Sequence, residues 1–208
     1  MKSVFKTNEH ECDLCIIGGG LSGMCAGIAA ARHGIKVVIM QDRPLYGGNA
    51  SSEIRMWVSG AGGKNCRETG IIEEIMLENL YRNPERGYPV WDSILYEFVM
   101  NEENITSIMN CSCFDADMKG SEIASVTGWQ TTTQSFHTVR AKYFADCSGV
   151  QPIIRCKFLG TFSMLAISFL FADICNGNNG KGSLAGNTLL YKWREYLRSD
   201  SLIPPQET

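Results

Sequence analysis

Three glycines spaced G-x-G-x-x-G, Gly18, Gly20 and Gly23, stand where the apolar run Leu14-Cys-Ile-Ile17 gives way to small residues. The chemistry this spacing serves is phosphate binding. Gly18 lets the chain turn sharply, Gly20 lets backbone approach a pyrophosphate, and Gly23 lets a helix pack closely on the preceding strand. The amides near Leu21 and Ser22 then point at the phosphates from the positive end of that helix. In dinucleotide-binding units an Asp or Glu roughly 20 positions into the unit takes the ribose hydroxyls. Here that place falls to Gln41, with Asp42 after it. A glutamine carbonyl accepts a hydroxyl hydrogen bond, without charge assistance.

The elements that must position these residues lie around them. Leu14 to Ile17 is long enough for a buried strand and too short for a helix. Ala26, Gly27, Ala30 and Ala31 suit a closely packed helix, and Val37-Val-Ile-Met40 after Gly34 reads as a second buried strand. A bare glycine motif is a weak signal, and one set between two such strands is a specific one. The competing reading, a glycine turn that binds nothing, leaves the entropic cost of three glycines unexplained.

Other reactive side chains are scattered. The nine cysteines include the pair Cys12 and Cys15, but three residues apart on a strand they are expected to face opposite sides, and a redox pair belongs at a helix start. Cys111 and Cys113 share a strand face without histidines nearby, and His10, His33 and His137 are isolated, so no metal site is expected. Cys147 reads as a small buried residue and not as a redox thiol. No residue has a spacing that marks it as a catalytic acid or base.

At 208 residues, 44% apolar and 20% charged, the chain suits one globular domain or one and a half. A net charge of −3 and a pI near 5.7 give no reason to expect nucleic acid or an anionic membrane as partner. Free cysteines without a signal peptide point to a reducing, cytoplasmic setting. The partner expected is a small-molecule substrate of unknown identity, and the oligomeric state is left open.

Residues 1–10 read as a polar, flexible lead-in. After the second strand comes Gln41-Asp-Arg-Pro-Leu-Tyr-Gly-Gly-Asn-Ala-Ser-Ser-Glu53, a loop of turn formers in which Gly47 and Gly48 would let backbone approach a flat ligand. A surface loop with a glycine turn is the equal alternative. Residues 68–82 read as an amphipathic helix with Ile71, Ile72, Ile75, Met76 and Leu80 inward and Glu73, Glu74 and Glu78 outward. Trp91, Ile94, Leu95, Phe98 and Val99 mark a second helix with a core face. Strands are expected over 104–113, 123–130 and 136–145, with a turn at Lys119-Gly120: a β-meander returning to a buried strand. That strand ends in Ala145-Asp-Cys-Ser-Gly149, a small-residue turn at the carboxyl edge, where open α/β sheets bind ligands.

Three separated pieces carry a resemblance: Ile17-Gly-Gly-Gly-Leu-Ser-Gly23, the segment Gln41-Asp-Arg-Pro through Gly47-Gly-Asn-Ala-Ser-Ser-Glu53, and Ala141-Lys-Tyr-Phe-Ala-Asp-Cys-Ser-Gly149. Together residues 11–149 resemble the amino-terminal part of FAD-dependent oxidoreductases with the glutathione-reductase type of nucleotide domain. The resemblance implies an α/β, Rossmann-like FAD/NAD(P)-binding domain with a parallel sheet and a β-meander crossover, incomplete at its carboxyl end. It implies FAD as cofactor. Gln41 and Arg43 would lie at the adenosine end, with Asp42 between them also counted as cofactor-binding, Gly47, Gly48 and Asn49 would run along the pyrophosphate towards the flavin, and the backbone of Cys113 would meet the adenine edge. Gly149 would close the second glycine turn.

Beyond Gly149 the resemblance stops. Val150 stands where such proteins usually have aspartate. Residues 158–172 are apolar, but fall short of the ~20 needed to span a bilayer. Residues 176–183 read as a linker and 189–197 as a short helix. The tail, 150–208, is expected to be atypical, truncated or read from a shifted frame. The expected activity is transfer of hydride or electrons from an unknown substrate to FAD. Two alternatives stand beside it: an inactive nucleotide-binding remnant of such an enzyme, and an NAD-dependent dehydrogenase. The meander and the Arg-x-x-x-Gly-Gly loop weigh against the last, which would continue with alternating strands and helices.

Overall fold

A computed structural model describes residues 5–58, 69–120 and 122–148. The elements run β1 (Thr7–Ile17), α1 (Leu21–Arg32), β2 (Val37–Met40), a short 3-10 turn (Gly48–Ala50), α2 (Ile71–Arg82), α3 (Tyr88–Met100), β3 (Ile105–Ile108), β4 (Cys111–Lys119), β5 (Glu122–Gln130) and β6 (Ser135–Asp146). One six-stranded sheet carries them in the order β3-β2-β1-β6-β5-β4. Strands β3, β2, β1 and β6 pair in parallel, and β4, β5 and β6 pair antiparallel as the meander.

This is the mixed, mostly parallel Rossmann-like sheet that the glycine unit and the meander predict. Its two faces are covered differently. On one face Ile16, Val37, Ile39 and Ala145 pack against Met24 and Ile28 of α1, Ile75 of α2, and Trp91, Ile94, Leu95 and Val99 of α3. On the other face Cys15, Ile17, Val38 and Met40 meet Cys111, Cys113 and Ala116 of β4 and Val126 of β5. The meander folds so close that a Cβ on Gly128 would lie 2.3 Å from the Met40 methyl.

Helix ends follow their residues. α1 stops where Gly34 takes φ +80°, the left-handed turn that ends many helices. α2 has Glu73 and Glu74 in its first turn and Arg82 in its last, matching the helix dipole. Pro89 opens α3, where its missing N–H costs nothing.

Four expectations need correcting or refining. β1 begins at Thr7, so the lead-in expected over 1–10 is strand for its last four residues. The single strand expected over 104–113 is two, β3 and β4, because Asn110 takes φ +54° between them. Leu80 is exposed: at that end α2 meets α3 through the ion pair of Arg82 with Glu97, and Arg82 also pairs with Glu78 one turn back in α2. Cys12 and Cys15 do not face opposite sides but enter the same buried cluster. The cause is local. The N–H groups of Asp13 and Leu14 both point at the Lys36 carbonyl, which successive residues of a regular strand cannot do, so the alternation breaks between them. The expectations for residues 150–208 lie outside the described residues.

Candidate nucleotide site

β1 delivers its chain to the carboxyl edge of the sheet, and Gly18 there takes φ +100°. A Cβ at this position would sit 2.4 Å from the Cys147 carbonyl oxygen, so the turn is both left-handed and tightly shut against the end of β6. Gly23 faces Gly18, and a Cβ there would meet the Gly18 oxygen at 2.0 Å; the helix can approach only because that atom is missing. Gly19 is equally constrained, although the motif leaves it free. The Tyr46 ring would be 2.7 Å from its Cβ.

Gly20 differs from all of these. Nothing stands within 4 Å of where its Cβ would be, among the described residues. It precedes α1 without a side-chain cap, and the first helical hydrogen bond runs from the Met24 amide to the Gly20 carbonyl. The Leu21, Ser22 and Gly23 amides therefore have no partner within the helix. The Ser22 side chain faces the Cys147 thiol and partly offsets the upward push of burial on it.

The Gly-Gly loop closes over this turn. Gly47 takes φ +98°, its amide donates to the Gly19 carbonyl at 2.9 Å, and Gly20 and Gly47 form a parallel β-bridge. Gly48 is tight against the Gly20 Cα, at 3.2 Å from an added Cβ. Asn49 is exposed beside it. Two glycine segments 27 positions apart, from Gly20 to Gly47, thus form one backbone-lined cradle.

Gln41 is where the structure adds most. It is 2% exposed, its carboxamide oxygen accepts the Gly19 amide at 2.6 Å, and its nitrogen donates to the Leu45 carbonyl at 2.7 Å. Its amide ties the two halves of the cradle together. The neighbouring carboxylate, Asp42, is exposed at the end of β2. Arg43 is exposed and pairs with Glu53 at 3.3 Å. The start of β4 is pinned to this segment: the Cys111 amide donates to the Gln41 carbonyl and the Asn110 amide to that of Arg43. Cys113 lies two residues on, its side chain 2% exposed, beside a β-bulge at Phe114. Gly149 lies outside the described residues.

Sequence reasoning missed the residues that hold the loop after the cradle. Trp91 donates its indole N–H to the Ala50 carbonyl at 2.8 Å, and buried Asp92 accepts the Ser52 amide at 3.0 Å. The Tyr88 hydroxyl donates to the Arg55 carbonyl, and its ring stacks on Trp57 with centroids 4.5 Å apart. The first turns of α3 are therefore a platform for the loop as well as a core face. The available signal is a Trp-Asp pair on an apolar stripe, since each carries a polar group that needs a partner when buried.

The thiols near the site are inert. Burial pushes Cys147 and Cys12 up to about 11 and Cys111 and Cys113 up to about 12, so none is a thiolate at neutral pH. All six described cysteines are buried, and no metal-binding group of three ligands is found among the described residues.

A family model described as FAD dependent oxidoreductase matches residues 13–152, two thirds of the chain. The chain belongs to this family. It is 28% identical over 163 residues to thiamine thiazole synthase of Pyrococcus furiosus, a match covering 72% of this chain and 62% of that protein. Over a short stretch of 43 residues it is 44% identical to a soluble pyridine nucleotide transhydrogenase of Marinobacter nauticus, covering 21% and 9% of the two chains. The chain thus spans less than two thirds of the length of these curated relatives. The crystal structure of Thermovibrio ammonificans THI4 superposes with a TM-score of 0.51 at 21% identity, over 73% of this chain and 64% of that one, and so shares its fold.

FAD is the cofactor of the family, and the residues present fit it. A backbone-lined cradle with open space at Gly20 and unpaired helix amides suits a pyrophosphate, which needs close approach and N–H donors and no cation. No helix among the described residues is long and apolar enough to cross a membrane.

Proposed function

We propose that Gly18–Gly23 and Gly47–Asn49 bind the pyrophosphate of FAD, in a flavoprotein that oxidises a small-molecule substrate by hydride or two-electron transfer. The observation that carries this reading is the open space at Gly20, roofed by the Gly20–Gly47 bridge, in a turn where the other glycines are closed by neighbouring atoms. The flavin, when bound, supplies the two-electron chemistry. The chain's own residues bind and orient. The Leu21 and Ser22 amides face the phosphates, and Gln41 fixes the height of the Gly47–Gly48 roof through Gly19 and Leu45. Asp42 and Arg43, exposed at the end of β2, face the adenosine end; Asp42 supplies the carboxylate for the ribose, since Gln41 has its amide engaged within the protein. Trp91 and Asp92 hold the loop beyond Asn49 along the flavin side. A net charge of −3 and the free, buried thiols of Cys12, Cys15, Cys111, Cys113 and Cys147 support a cytoplasmic setting and a small-molecule partner.

The test is FAD retention by Gly20→Val. Gly20 has φ −62° and ψ 174°, an extended conformation that valine accepts, and its Cβ meets nothing. The variant is expected to fold with unchanged Tm and to lose FAD on desalting, read from the visible flavin absorption, with affinity down at least about tenfold. A variant that keeps FAD as the wild type does, or a folded wild-type chain that retains none, would overturn the reading.

A further inference from the structure

Asp146 ends β6 at the same carboxyl edge, paired in register with Ile17, the residue before the glycine turn. Its Oδ1 accepts two hydrogen bonds from Ser148, from the amide at 3.1 Å and the hydroxyl at 2.6 Å. Its Oδ2 is buried and has no hydrogen-bond partner, the single side-chain atom among the described residues of which this is true. A buried carboxylate oxygen without a donor is costly, and native proteins seldom leave one so.

The position restricts what could donate to it. The Cys147 amide is bonded to the Ile17 carbonyl at 2.7 Å, and the Gly18 turn shuts against Cys147. Burial, and after it the charges of Asp146 and Asp115, push the Cys113 thiol up, so Asp146 is within electrostatic reach of β4. A carboxylate here repels a phosphate, so it does not serve the pyrophosphate held by the helix amides. It serves a neutral part of the ligand that carries N–H or O–H. The exposed Asp42 at the far end of β2 is placed for the ribose. The donor left is an exocyclic amine on the base.

We propose that Asp146 reads the base of the bound nucleotide: Oδ2 accepts an N–H of the amino group of a 6-aminopurine whose edge lies along β4 at Cys113–Phe114. The assignment rests on the FAD reading above and adds to it a residue that selects adenine over a 6-oxopurine. A 6-oxopurine puts a carbonyl oxygen where the amine stood, acceptor against acceptor, and a buried site rejects such a mismatch.

ADP and IDP differ at this group and carry no flavin, so their binding to the chain by calorimetry tests the assignment. The wild type is expected to prefer ADP by about ten- to a hundredfold. Asp146→Asn keeps an oxygen for Ser148 and puts N–H donors at Oδ2, so its preference is expected to reverse towards IDP. Asp146→Ala, a second variant, is expected to bind both alike. Wild-type binding of ADP and IDP with equal affinity, or an unchanged ratio in folded Asp146→Asn, would overturn the assignment and leave the nucleotide site standing. Binding of neither by the folded wild type overturns the site itself and this assignment with it.

Discussion

Gln41→Glu exchanges one NH₂ for one oxygen and should turn the cradle's central tie into a pH-dependent one. In the wild type the Gln41 oxygen takes the Gly19 amide and its nitrogen serves the Leu45 carbonyl, in a side chain 2% exposed. An ionised glutamate keeps the first bond and sets an oxygen against the Leu45 carbonyl. That leaves a buried acceptor unpaired, at about 1–3 kcal/mol, and adds the desolvation of a carboxylate. A protonated glutamate has the original pattern, its O–H donating to Leu45. The folded state therefore raises the introduced carboxyl above its unfolded value of about 4.3. Since the shift is upwards, the stability is fully present below about pH 4.3 and is lost as pH rises through the folded value. A rise of about two to three units costs about 3–4 kcal/mol at pH 7. Denaturant unfolding of both proteins from pH 4.5 to 8 should show a gap that is small at the acid end and widens with pH. Gln41→Met, which leaves both the Gly19 amide and the Leu45 carbonyl unpaired, should lose about 2–6 kcal/mol with no pH dependence of its own. A Gln41→Glu curve parallel to the wild type, within about 0.5 kcal/mol throughout, would refute the tie.

Two further outcomes follow from the same geometry. Asp92→Ala strips the Ser52 amide of its acceptor and should cost about 1–3 kcal/mol, with faster trypsin cleavage after Arg55, whereas Asp92→Asn keeps an acceptor and should stay near the wild type in both. His10 and His137 stack with nitrogens 2.9 Å apart, and burial holds both below the usual histidine range, His137 further so by His10 and Lys6. With folded values depressed, their stability is present above about pH 6.5 and lost as pH falls through the folded values, so Tm should drop between pH 7.5 and 5 and drop less in His137→Gln.

What the sequence discloses and what it conceals divide along a physical line. The Gly18–Gly23 turn, the strands beside it, the two helices and the meander are local patterns: spacing, period and turn residues within a few positions of one another. Each is readable because the backbone requirement and the residue that meets it are neighbours. Strand alternation misplaces Cys12 because it fails at Asp13, where two successive amides share the Lys36 carbonyl from beyond the strand. Helical period misplaces Leu80 because it says which residues share a face but not how far along the helix the neighbour extends.

The same division explains the polar residues that matter most. Gln41 stands where a ribose-binding acid is usual, and its type alone suggests a weaker version of that role. The structure gives its amide to Gly19, 22 positions back, and to Leu45, and leaves exposed the adjacent Asp42, the residue proposed above for the ribose. Asp92 shows the converse: it sits on a stripe of core residues and is buried because the Ser52 amide, 40 positions away, needs it. Asp146 completes the series. Neither Gln41 nor Asp92 leaves a buried side-chain oxygen or nitrogen without a partner, and in Asp146 one buried oxygen is left over. In a site where buried polar groups are otherwise satisfied by distant partners, the atom without one is the place to look for the ligand.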